Sequence, residues 1–294
     1  MRQDAKKKKT GKEAFEEYYA SLFGGRWTAL KKSLSQENVY IKLDMGGSSP
    51  YFLDPASICA ALSLDVTDAE SAADLCAAPG GKSLVISGTK KEEASLFSNE
   101  RSAQRKMRLV KSMDDVLPEK LRKSVTCAQN DAAVLCRKMQ ECFDSILLDV
   151  PCSSERHVLN DEKYLSVWSP SRIKTLSMEQ WALASSAWRL LKKGGFLLYS
   201  TWALNPLENE NTVTKLLKKF DDARLVPYEQ MHSVFVKNLD SFKGRFSSET
   251  ADAQNIIRNV FSSAEKKEAG LHVLPDSSDG AGPLYFCLIQ KAAG

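Results

Sequence analysis

Asp74-Leu75-Cys76-Ala77-Ala78-Pro79-Gly80-Gly81-Lys82 closes a short apolar stretch, Ala72 to Leu75, and opens a helix at Gly81. Small residues and paired glycines let a backbone come close to a ligand, and a helix amino end favours negative charge there. A glycine-rich turn alone decides little, so the pattern around it carries the reading. Downstream the spacing predicts a strand at Ser95 to Phe97, a basic helix from Arg101 to about Met113, and strands at Val125 to Ala128 and Phe143 to Val150 with a short helix between them. The unbroken run Ile146, Leu147, Leu148 reads as a central strand buried on both faces. A long helix follows from Pro170 to Lys192, with Ile173, Leu176, Leu183, Ala184, Ala187, Leu190 and Leu191 inward and Gly194 and Gly195 closing it. A strand at Phe196 to Tyr199, a helix at Pro206 to Phe220, and strands at Ala223 to Val226 and Leu284 to Ile289 complete the series. Such alternation requires crossover connections, hence a doubly wound α/β fold with a parallel sheet and helices on both faces. Ligands of such sheets sit outside the carboxyl ends of the strands.

Upstream, Phe15, Tyr18, Tyr19, Leu22 and Phe23 stand at helical spacing, stop at Gly24-Gly25, and resume with Trp27, Leu30 and Leu34. Residues 14–49 therefore read as a small helical appendage, and 50–294 as the main domain. A helix is expected from Pro55 to Leu64, after the Gly46 to Pro50 loop. Residues 1–13 hold six basic side chains against Asp4 and Glu13, which accounts for the whole net charge of +4. The rest of the 294-residue chain is neutral on average, so a nucleic-acid surface has to be a local patch. The lysine run itself reads either as a disordered solubilising arm or as an RNA-contacting arm. No apolar stretch stands behind it as in a secretory signal, and no run approaches the ~18 apolar residues of a membrane-spanning helix. Seven scattered cysteines without a C-x-x-C pair suit reduced thiols and a cytoplasmic setting. His157, His232 and His272 lack ligand spacing, so no metal is expected.

Three acids stand where the strands should end. Glu100 lies nineteen residues after Gly81, suited to accept hydrogen bonds from ribose hydroxyls; Asp131 ends the third strand and Asp149 the fourth. Capping or solvated carboxylates are the plain alternative. Acids at adjacent strand tips around one glycine turn suit a nucleoside bearing a positive sulfonium better than a dinucleotide pyrophosphate.

Asp74 to Ser83, Asp149-Val150-Pro151-Cys152-Ser153 and Tyr199-Ser200-Thr201-Trp202-Ala203-Leu204-Asn205-Pro206-Leu207-Glu208-Asn209-Glu210 together resemble the first, fourth and sixth motifs of the Nop/Sun (RsmB/NOP) family of S-adenosylmethionine-dependent RNA cytosine-5 methyltransferases. The likeness runs from about Pro50 to the carboxyl end. Cys152 to His157 and Gly282 to Cys287 are similar to the short branch that includes mitochondrial ribosomal-RNA enzymes. The resemblance implies a class I methyltransferase fold with an antiparallel final strand, and a ribosomal RNA substrate. It also implies that Cys76, Ala77, Ala78, Pro79, Gly80, Gly81 and Lys82 cradle the methionine part of S-adenosylmethionine. Glu100 would hold the ribose, Asp131 would meet the adenine edge, and Asp149 would lie between cofactor and target base.

Carbon-5 of cytosine is a poor nucleophile until a thiolate adds to carbon-6 and turns the ring into an enamine. In the family that thiolate belongs to a Thr-Cys-Ser motif; here Thr201 is followed by Trp202 and Ala203. Two readings stay open. Cys152 serves as the nucleophile, as the Pro-Cys cysteine does in DNA cytosine-5 methyltransferases, with Asp149 beside it. Alternatively, Trp202 fills or lids the base pocket and the chain binds without turnover. An indole can also stack on a base, worth ~1–3 kcal/mol in single-strand binding. Lys82, Arg156, His157 and Trp202 are the candidate RNA contacts, with Arg156 and His157 equally suited to orienting the loop. Arg101, Arg105, Lys106, Arg108 and Lys111 form a basic helix face that reads as solvated or RNA-facing.

Overall fold

The computed structural model describes residues 10–248 and 252–293. The lysine run falls within residues 1–9 and lies outside the described residues. Two helices come first, α1 (Gly11–Phe23) and α2 (Trp27–Leu34), followed by a hairpin of β1 (Ile41–Leu43) and β2 (Tyr51–Leu53) and by α3 (Pro55–Leu62). Asp54 caps α3 by accepting the Ala56 N–H at 2.7 Å, with Pro55 at the first helical position. The alternating region is β3 (Ser71–Asp74), α4 (Gly81–Thr89), β4 (Ser95–Asn99), α5 (Ala103–Val116), α6 (Glu119–Arg122), β5 (Val125–Ala128) and β6 (Phe143–Asp149). Beyond it run α7 (Glu155–Leu159), α8 (Glu162–Ser166), α9 (Pro170–Leu190), β7 (Leu191–Thr201), α10 (Glu210–Lys219) and β8 (Ala223–Leu225). The chain ends with α11 (Tyr228–Phe242), α12 (Ala253–Ser263), β9 (Glu265–Lys266), β10 (Leu271–Val273) and β11 (Leu284–Lys291).

Among the described residues the main sheet has nine strands in the order β5-β4-β3-β6-β7-β11-β10-β9, with β8 also on β11. The first five are parallel. β11 is antiparallel to β7, from Tyr285 opposite Thr201 to Gln290 opposite Phe196. Its other edge is shared: β10 pairs with Leu284 to Phe286, and β8 with Ile289 to Lys291. The order reverses between β3 and β6, which puts the ligand crevice at their carboxyl ends.

Alternation along the strands builds two cores. Leu147, Leu198, Phe286 and Leu288 face α3, α4, α11 and α12, while Ile146, Leu148, Leu197, Tyr199 and Ile289 face α9 and α10. Ile146, Leu147 and Leu148 are fully buried, as their unbroken apolar run predicts. A third core joins Phe15, Tyr19, Trp27, Leu30 and Leu34 to Val158, Leu165, Trp168, Ile173 and Leu204. The appendage thus packs on the segment after β6.

Some boundaries differ. The expected division between residues 49 and 50 falls inside the β1–β2 hairpin, whose strands pair from Ile41–Leu53 to Leu43–Tyr51. Gly194 and Gly195 do not end a helix but lie within β7, beside a register shift between Phe143 and Ser145. A side chain at Gly195 would strike the Asp144 carbonyl at 2.6 Å, so the close approach requires glycine. Pro206 to Asn209 is a turn, and α10 starts only at Glu210 because Asn209 is committed to Thr201 and the Ala203 carbonyl.

Candidate cofactor and base site

The strand ends are fastened to one another before any ligand enters. Asn99, at the end of β4, donates to the Leu75 carbonyl at 3.1 Å and the Asn130 carbonyl at 3.0 Å, and Ala77 N–H donates to the Asn99 carbonyl at 2.8 Å. Gly80 caps α4 at φ +121°, a conformation L side chains rarely adopt. Gly81 serves a different neighbour: a Cβ there would meet Leu53 at 2.6 Å and Tyr51 at 3.1 Å, so the hairpin covers the start of α4.

Glu100 follows β4 and is 4% exposed. One oxygen accepts the Ser102 N–H at 2.9 Å; the other has no hydrogen bond and faces the Arg105 guanidinium at 3.3 Å. Arg105 also donates to the Ala78 carbonyl at 2.7 Å, joining the glycine turn to Glu100. Asp131 lies three residues past β5, exposed, accepting the Ala133 N–H at 3.0 Å. Glu100, Asp131, Cys76, Asn130, Pro151 and Glu179 share a small cavity of about 30 Å³, bridged by the Arg101–Glu179 ion pair at 2.9 Å. Asp74 is buried, with one oxygen on the Ser83 hydroxyl at 2.7 Å and the other unpartnered; burial pushes its carboxyl up to about 7. A crevice with a buried carboxylate, one of whose oxygens makes no hydrogen bond, beside a positive-φ turn fits a ligand carrying hydroxyl donors.

Asp149, at the tip of β6, is gripped from both sides: Lys82 Nζ at 2.7 Å on one oxygen and the Ser200 hydroxyl at 2.7 Å on the other. Lys82 is 7% exposed, and its ammonium lies 5.8 Å from the Trp202 ring centroid. The ammonium is held inward by Asp149. Arg156 is likewise engaged within the fold. Its guanidinium donates to Asn38, to the Ser33 carbonyl at 3.0 Å and to the Gly280 carbonyl at 2.9 Å, and so ties the active-site loop to α2 and to the turn before β11. His157 is exposed, its ring 4.9 Å from that of Tyr164. Half-buried Trp202 lines a cleft of about 460 Å³ together with Ser154, Arg156, His157, Asn38 and Asn160.

Cys152 shares the β6–α7 loop with Ser153 and Ser154, its Sγ 3.3 Å from the Ser154 hydroxyl. Burial pushes the thiol well up, and the carboxylates of Glu208, Glu155 and Asp149 push in the same direction. Fully buried Ala203 follows Trp202, its N–H on the Thr201 hydroxyl at 3.2 Å. Sequence reasoning missed Glu155, Glu208, Gln180 and Arg105 as site residues. The signal for the two acids was present, since both stand within the quoted motifs.

A family model described as 16S rRNA methyltransferase RsmB/F matches residues 61–268. The chain belongs to this family. The RsmB/F match covers the glycine turn, all three strand-tip acids, Cys152 and Trp202, and agrees with the Nop/Sun motifs. The chain is 30% identical over 242 residues to the 5-cytosine rRNA methyltransferase NSUN4 of Bos taurus, covering 81% of itself and 58% of that relative. It is 32% identical over 234 residues to ribosomal RNA small subunit methyltransferase F of Aliivibrio fischeri, covering 79% and 42%. The chain thus spans about half the length of these curated relatives. In fold it is similar to a methyltransferase homolog protein from Pyrococcus horikoshii (TM-score 0.61, 18% identity, 94% of each chain). It is also similar to NSun6 of that organism solved with SFG (TM-score 0.60, 20% identity, 84% of this chain and 54% of the other). The fold is that of class I methyltransferases, and family and site residues together indicate S-adenosylmethionine as the cofactor. Among the described residues no group of three His, Cys, Asp or Glu could hold a metal ion, and no helix is long and apolar enough to cross a membrane.

Proposed function

We propose that the protein is an RNA methyltransferase of the cytosine-5 type acting on ribosomal RNA, with Cys152 as its attacking thiol because position 202 is a tryptophan. The observation that supports this is the convergence at the carboxyl ends of the parallel strands of the Gly80 turn, buried Glu100, the clamped Asp149 and Cys152. Cys76 to Gly81, Glu100 and Asp131 would hold S-adenosylmethionine. When bound, it supplies an electrophilic methyl group. Asp149 cannot swing away, since Lys82 and Ser200 hold it, and it offers a fixed acceptor between cofactor turn and loop. Trp202 and His157 line the cleft beside Ser154, where an unstacked base and its neighbours would rest. Cys152 has to lose its proton to attack.

A second reading has its own observation. The thiol is held protonated by burial among carboxylates, and Trp202 with Ala203 stands where the family has Cys-Ser; both favour a protein that binds cofactor and RNA without turnover. Incubating labelled S-adenosylmethionine with unmodified ribosomal RNA separates the two. The first reading expects label on a cytosine, lost in Cys152→Ala, and a covalent adduct with RNA containing 5-fluorocytosine. Binding of both ligands with neither label nor adduct would establish the second.

A further inference from the structure

Five fully buried polar side chains from four parts of the fold meet behind the Cys152 loop: Tyr19 of α1, Ser153, Glu155 of α7, Gln180 of α9, and Glu208. Glu155 accepts from the Tyr19 hydroxyl, the Ser153 hydroxyl and the Leu204 N–H at 3.0 Å. Glu208 accepts from the Ser153 N–H at 2.9 Å, from Gln180 Nε2 at 2.9 Å, and also from the Ser153 hydroxyl. None of these donors is a cation. Ser153 touches both carboxylates but has a single hydroxyl hydrogen, so one of its two contacts needs a hydrogen from a carboxyl group. Two buried, unneutralised carboxylates this close cannot both stay ionised.

We propose that Glu155 and Glu208 share one proton across Ser153, and that this pair, anchored by Tyr19, is the positioning device of the Cys152 loop and sets how readily Cys152 ionises. The groups facing it are Tyr18 and Tyr19 from α1, Gln180 from α9, Asp149 and Cys152 from the β6 end, and Tyr199 of β7, which donates to the Glu208 carbonyl at 2.6 Å. Burial raises both carboxyls, and the charge of Glu155 adds to the rise of Glu208, which reaches about 7. Loss of the shared proton adds a negative charge beside Cys152 and makes its thiol harder to ionise. The α1 helix thereby acts on the loop chemistry through one hydroxyl. The inference holds whether or not methyl groups are transferred.

Two readouts on the full chain test it without any ligand. Infrared spectroscopy of the wild type should show protonated carboxylic acid at neutral pH that disappears as pH rises through about 7, and Glu208→Gln should lose part of that band, leaving the part that belongs to Asp74. Tyr19→Phe removes a donor that favours the charged form, so the band should persist to higher pH. Mass mapping of Cys152 alkylation against pH supplies the second readout. Glu208→Gln should move the profile to lower pH, with alkylation about tenfold faster at neutral pH for each unit moved. Glu155→Gln should move it the same way and stands in if the first variant does not fold. A protonated-carboxyl band that Glu208→Gln leaves undiminished, or profiles of Cys152 that coincide in wild type and the Gln variants, would overturn the proposal.

Discussion

At the scale of single residues, the cofactor crevice rests on positions with little freedom. Gly80 needs its positive φ, and a Cβ there would meet Met113 Cε at 2.7 Å, so Gly80→Val brings strain and collision together. Calorimetry should find S-adenosylmethionine binding lost in that variant. Glu100→Ala removes the orphaned acceptor while leaving the turn alone; a hydrogen bond to a charged group is worth about 1.5–3 kcal/mol, so affinity should drop about tenfold or more. Unchanged affinity in both would move the cofactor elsewhere. The base side of the site invites the opposite experiment. Trp202→Cys with Ala203→Ser restores the family sequence on a segment still ordered by Thr201 and Asn209, and should yield a 5-fluorocytosine adduct even if the parent gives none. No adduct from the double variant would mean that the pocket around these positions has changed as well. Lys82 and Arg156 show what residue-level reading leaves open: a basic side chain in a motif says nothing of its partners, and here Lys82 holds Asp149 while Arg156 holds backbone carbonyls beside the cleft.

At the scale of elements, what periodicity could reveal, it revealed. The strands β3 to β6 and the helix α9 stand where apolar runs and helical spacing put them, because each is long enough for its period to show and is buried on a defined face. β6 sits at the centre of both cores, and Leu147→Ala should cost about 2–5 kcal/mol, read as a lowered denaturant midpoint with unchanged slope. The hairpin β1–β2 escaped because its short strands follow no apolar run and are half-exposed at Tyr51 to Leu53, and their reason for existing is tertiary: they cover Gly81. The region of α11 and α12 went unread, although Met231, Phe235, Leu239 and Phe242 recur at helical spacing and are all buried. The pairing of β8 and β10 along one edge of β11 was not, for nothing local encodes two short strands sharing a neighbour. Arg156 joins three elements through a planar fork, so Arg156→Lys should loosen α2 from the loop and lower the melting temperature despite conserving charge.

At the scale of the whole molecule, charge is distributed unequally between tail and body, and protons unequally between folded and unfolded states. A neutral body with a lysine-rich amino terminus predicts RNA affinity that falls steeply with salt, and removal of residues 1–12 should weaken it without changing which RNA is preferred. Filter binding across an ionic-strength series checks both, and a flat series would refute a patch-and-tail surface. The acids buried in the fold give a second global signature. Burial raises Asp74 and Glu208 to about 7 and Asp54 to about 6, so between pH 5 and 8 the folded chain holds protons that the unfolded chain has released. The stabilisation is full below the ordinary carboxylate range and is lost as pH rises through these folded values. His272 works against it. Burial depresses its imidazole to about 3, so the unfolded chain gains a proton below about 6.5 that the folded chain refuses. Four raised carboxyls, Glu155 included, against one depressed imidazole leave a net rise in stability as pH falls from 8 toward 5, shallow near 8 and steeper below about 7, where the folded carboxyls hold their protons. Melting temperatures measured across that range should follow this slope, and Glu208→Gln should flatten its upper part; a wild-type melting temperature that climbs with pH instead would mean these carboxylates are ionised in the fold and neutralised by partners the structure does not contain.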